Sequence, residues 1–110
     1  MEKWIYAVFS ECQDSSREKA FHEWYDKIHI PDILETPGVV SATRYEVKNP
    51  AKGQGKFLAL YEIETENIDQ TMAALREIIA QKAKQGRMPD LGNIMSRTLY
   101  RQLAESQSTK

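Results

Sequence analysis

The chain has 110 residues and a formal net charge of −1, with 41% hydrophobic and 28% charged residues. That balance gives no electrostatic basis for binding nucleic acid or an anionic membrane surface. The single cysteine, Cys12, excludes an internal disulfide and fits a reducing compartment, and no apolar run approaches a signal peptide or the ~20 residues of a membrane span.

The expected address is therefore the cytoplasm. The length predicts a single domain, placed over residues 1–103, with a polar tail over 104–110.

Trp4 to Ser10 is rich in aromatic and β-branched residues and reads as a buried strand. Ser15 and Glu18 have the spacing of a capping box, which opens a helix by satisfying its free N–H groups. Phe21, Trp24, Tyr25 and Ile28 recur at helical spacing, predicting a helix from about Ser16 to His29. Pro31 lacks an N–H and disfavours helical geometry at Ile30, so the helix is expected to stop there, with His29 on its last turn. Pro37-Gly38 turns the chain into a second strand, Val39 to Val47. Asn49 to Gly55 is a turn, and Phe57 to Ile63 is a third strand forming a hairpin with the second.

Asn67 is a helix cap with Gln70 three residues on. Met72, Leu75, Ile79 and Ala83 form one stripe of the helix that follows, and Gly86 suits the left-handed residue after its end. Arg87 to Gly92 is a loop, and Asn93 to Leu103 is a fourth strand.

The order β-α-β-β-α-β predicts an α+β, ferredoxin-like fold: a four-stranded antiparallel sheet with two helices on one face. Both faces of the strands are apolar. Ile5, Ala7 and Phe9 oppose Trp4, Tyr6 and Val8, and Leu58 and Leu60 oppose Phe57, Ala59 and Tyr61. Two helices cover only one face, so a homodimer with two sheets packed face to face is expected.

His29 is the first candidate for chemistry. Histidine exchanges a proton near neutral pH, and this one sits beside two aromatics at the rim of the buried arc, with His22 on the same rim. The bland reading makes His29 a hydrogen-bonding partner of the following loop and His22 a solvated residue. His22, Asp26 and His29 also share a helix face as metal ligands would, but one helix supplies no further ligands, and no metal is expected. Tyr6 and Tyr61 lie in apolar strands and need partners for their hydroxyls. Arg44, in the second strand, is either a surface arginine or a fixed cation for a carboxylate or enolate oxygen. Lys82 and Arg87 read as solvated. No phosphate loop, dinucleotide glycine pattern, Ser-His-Asp arrangement or paired-cysteine motif is present.

Trp24-Tyr25 followed by His29-Ile30-Pro31, then Pro37-Gly38-Val39 and Arg44-Tyr45, resembles the dimeric α+β barrel superfamily, and most closely its EthD-like members. The resemblance spans the first strand to the fourth. It implies a homodimer and a small aromatic or polyketide-like ligand between sheet and helices. The superfamily includes cofactor-free quinol monooxygenases, polyketide cyclases, muconolactone isomerases and haem-degrading monooxygenases. The asparagine–tryptophan–histidine set of the haem-degrading members has no clear match here.

The resulting expectation is a cofactor-independent enzyme acting by proton transfer: a cyclase, isomerase, decarboxylase or monooxygenase. His29 and Tyr25 are its expected catalytic residues, with Trp24, His22, Tyr6, Arg44 and Tyr61 in contact with substrate. The alternatives are a non-catalytic small-molecule-binding or accessory dimer and a haem-degrading monooxygenase.

Overall fold

The computed structural model describes residues 1–109. The last residue of the predicted tail, Lys110, lies outside the described residues; residues 104–109 are exposed and carry no regular structure. Four strands form one sheet: β1 (Glu2–Cys12), β2 (Val39–Glu46), β3 (Phe57–Thr65) and β4 (Gly92–Arg101), in the order β2-β3-β1-β4. Every pairing is antiparallel, and β2 and β3 form the expected hairpin. The fold is α+β and ferredoxin-like.

The first helical segment departs from expectation. A 3₁₀ turn (Ser15–Arg17) leads into α1 (Glu18–Trp24), a π-helical turn (Tyr25–His29) and α2 (Ile30–Ile33), so the segment runs through Pro31 instead of ending there. The Ile30 N–H reaches back five residues to the Tyr25 carbonyl. The wider turn places Pro31 at the first turn of α2, where a missing N–H costs nothing. The cap is also not Ser15: the Asp14 side chain accepts from the Ser16 N–H at 2.9 Å.

The other helix, α3 (Ile68–Lys84), follows the sequence closely. Asn67 caps it by accepting from the Gln70 N–H at 3.2 Å, and Gly86 beyond its end takes φ +75°.

The core lies between the sheet and the helices. Tyr6, Val8, Phe57, Ala59, Tyr61 and Ile63 from the strands meet Phe21, Tyr25 and Ile33 from the first segment and Met72 and Leu75 from α3. α1 packs tightly on the start of β4: a Cβ at Gly92 would lie 2.5 Å from the Phe21 ring and 2.9 Å from the Glu11 carbonyl oxygen, so only glycine fits there. The opposite sheet face has no helix. It exposes Ile5 at 38%, Tyr45 at 50% and Tyr100 at 56%, with Phe9, Leu58 and Leu60 half-buried among them.

Register shifts occur in two places. Between Phe9 and Ser10 the β1–β4 ladder jumps from Ser96 to Ile94, which is a β-bulge. The β2–β3 ladder shifts between Val39 and Ser41.

Candidate functional site

A cavity of about 190 Å³ lies between the helices and the sheet. Its floor comes from Tyr6, Val8 and Ser10 of β1 and Tyr61 of β3. One wall is Phe21, Trp24, Tyr25, His29 and Ile33 of the first helical segment. Leu75 and Ile79 of α3 and Met88 and Pro89 of the next loop close another side. Gly92, Asn93, Ile94 and Arg97 of β4 complete it. The β1–β4 bulge sits within this lining, where it redirects the residues on either side of it.

His29 faces this space because of the π turn. On an uninterrupted α-helix Ile28 would centre the buried arc and His29 would lie at its rim. The additional residue in the turn delays the phase of everything after it, bringing the imidazole round beside the core aromatics. The ring stacks on Trp24 at 4.6 Å with planes 21° apart and meets Tyr25 edge-on at 5.1 Å. Burial lowers its pKa from 6.5 to about 4, partly opposed by the negative charge of Asp32, so the imidazole is neutral at pH 7.

Three tyrosines line the same space. Burial raises the Tyr61 pKa strongly, and its hydrogen bond with Tyr25 adds to the effect. Burial also raises Tyr25, opposed by hydrogen bonds from Tyr61 and Ser10 and by the charge of Arg44. Tyr6 is raised by burial and held back by Arg97 and Arg76. All three phenols keep their protons at neutral pH and are potential donors.

Two expected contact residues lie elsewhere. Arg44 and His22 are not in the lining. The Arg44 guanidinium lies 4.4 Å from the Tyr25 ring centroid and donates to Asp26 Oδ1 at 2.9 Å. It also lies 3.0 Å from His22 Nδ1, and the His22 ring meets Phe57 edge-on. Arg44 therefore braces Tyr25 from behind. It also occupies the space between His22 and Asp26 that a shared metal ion would need.

Asp32 and Arg87 were not among the expected site residues. Arg87 donates from Nε and Nη2 to the two Asp32 carboxylate oxygens, each at 2.9 Å, while Lys82 lies 3.8 Å from Asp32 and 3.0 Å from Glu35. Trp24 Nε1 donates to the Arg87 carbonyl at 2.8 Å. These bonds tie α1 and α2 to the loop that carries Met88 and Pro89, beside the cavity. The Arg87 guanidinium holds the Asp32 carboxyl below its usual range. Cys12, half-buried, directs its Sγ to the Asp14 carbonyl at 3.1 Å.

No helix among the described residues is long and apolar enough to cross a membrane. No curated protein matches the chain. Several solved structures share its fold. A dimeric ferredoxin-like protein from an uncultured marine organism is 12% identical with a TM-score of 0.66, over 96% of this chain and 100% of that one. An EthD family protein from Bacillus halodurans is 19% identical with a TM-score of 0.54, over 96% and 100%. SnoaB from Streptomyces nogalater, a cofactor-independent oxygenase, is 12% identical with a TM-score of 0.54, over 98% and 97%. At these identities the likeness establishes fold alone. The family model that matches, over residues 3–87, is that of a domain of unknown function, DUF4286, and the chain belongs to that family.

Proposed function

We propose that the protein is a cofactor-independent enzyme that binds a small aromatic, quinone-like molecule in this cavity and moves one of its protons with His29. The observation that carries this reading is a neutral imidazole, stacked on Trp24, facing a hollow that three protonated tyrosines also line. His29 accepts a proton from a phenolic or activated C–H group of the substrate. The Tyr25 O–H, kept protonated by burial, donates to the oxyanion that forms. The developing anion stabilises the imidazolium beside it, which offsets the low proton affinity of His29 in the empty site. SnoaB, described as a cofactor-independent oxygenase, is a precedent for such chemistry on this fold.

Size limits the substrate. An engineered cavity of about 150 Å³ is enough for benzene. The 190 Å³ here suits one ring or two fused rings, and a larger polyketide-like molecule would require the Met88–Pro89 side to open.

Hydroquinones, naphthols and aryl 1,3-diketones form a suitable test panel. Turnover of at least one, or proton exchange at its acidic position, is expected. Saturable binding of several with no chemistry would favour the alternative, a non-catalytic small-molecule-binding protein, which the low pKa of His29 also suits.

The same proposal includes a homodimer formed by the open sheet face. A face carrying Ile5, Tyr45 and Tyr100 in the open is poorly matched to water, and one protein of this fold is described as dimeric. Sedimentation equilibrium is expected to give the mass of two chains at micromolar concentration; one chain's mass there would contradict it.

A further inference from the structure

Arg97 is the single permanently charged residue in the cavity lining. It lies on β4 opposite Val8 of β1, on the face of the sheet that the helices cover. The residue is exposed, so it lies where the cavity meets solvent. No carboxylate pairs with it: the ion pairs among the described residues engage Arg44, Arg87 and Arg101 but neither Arg97 nor Arg76. Arg76, exposed on α3, is a second such cation, and both act on the charge of Tyr6 in the lining. A hollow walled largely by aromatic and aliphatic side chains thus meets solvent at the guanidinium of Arg97, which no carboxylate of the described residues pairs.

An arginine fork matches a planar carboxylate with two parallel N–H···O bonds. Taking the cavity to be an aromatic-binding site as proposed above, we propose that its ligand is an aromatic carboxylate. The ring enters between Trp24 and the strand tyrosines while the carboxylate stays at the mouth on Arg97, with Arg76 adding to the field. The cationic role that the sequence suggested for Arg44 falls to Arg97, because Asp26 and the Tyr25 ring already engage Arg44.

Calorimetric titration with 2-naphthoate and its neutral isostere 2-naphthamide tests this. A charge-assisted bidentate contact favours the acid by roughly tenfold or more. Arg97→Gln is expected to abolish that preference while leaving naphthamide affinity within about twofold, since the apolar contacts persist. Arg97→Lys is expected to restore part of it, and Arg76→Gln to reduce it by a smaller factor. Arg101→Gln, at a residue paired with Glu2, should leave it unchanged. Equal binding of both probes by the unaltered protein, or a preference that survives in Arg97→Gln, would overturn the Arg97 assignment and leave the aromatic site standing. Binding of neither probe would overturn both.

Discussion

Replacing His29 by glutamine is expected to lower turnover by ~10²–10⁴-fold while the fold and ligand affinity survive. Glutamine keeps a polar planar group of similar reach against Trp24 but cannot take up a proton at neutral pH. The effect should fall on kcat, with KM little changed, because the ring walls that hold the substrate are untouched. The pH profile carries the signature. With the free imidazole titrating at about 4, kcat/KM should be flat across the neutral range and fall only as pH drops toward that value. An acid limb near 6.5 would mean that the ring titrates as an ordinary exposed histidine and is not the desolvated, half-buried base described here.

Acid should also destabilise the protein through the same residue. The folded-state pKa of His29 lies below the ordinary 6.5, so between pH 6.5 and about 4 the unfolded chain binds a proton that the folded chain refuses. Stability from the neutral ring is fully present above 6.5 and is lost as pH falls through that window. A shift from 6.5 to about 4 corresponds to about 3 kcal/mol. Denaturant unfolding at pH 7 and pH 4 is expected to show a loss of this order, and His29→Gln should remove most of the difference. Asp32 pulls in the same direction at lower pH, because the Arg87 pair that lowers its pKa is lost once the carboxyl is protonated. An unchanged acid loss in His29→Gln would assign the effect to other groups.

The sheet and α3 were legible in the sequence because their signals are local and agree. Aromatic and β-branched runs mark β1 and β3, and Asn67 caps α3 as its side chain predicts. Pro31 was misleading because its usual effect assumes an α-helix before it. A π turn supplies the slack that lets the helical segment pass the proline, and no residue type announces such a turn. The same turn explains why His29 faces the cavity more directly than an ideal helical wheel allows.

Asp32 and Arg87 were missed for a related reason. A helix that ends before Pro31 puts Asp32 in a loop, and its partner lies 55 residues away with nothing local to link them. Arg44 was expected at the ligand because a basic residue in an apolar strand invites that role; the structure gives it Asp26, His22 and a tyrosine ring instead. The contribution of β4 depends on the bulge after Phe9, which resets strand parity and brings Ile94, opposite Ser10, and Gly92 to the same face as Arg97. Residue types along one strand carry no register that would reveal it.

A crystal structure of the protein with a bound hydroxynaphthalene tests the central claim most directly. The rings are expected within the hollow against Trp24, with the hydroxyl ~2.6–3.2 Å from an imidazole nitrogen of His29. A naphthalene seated elsewhere on the surface, with the imidazole turned away from the hollow into water, would contradict it.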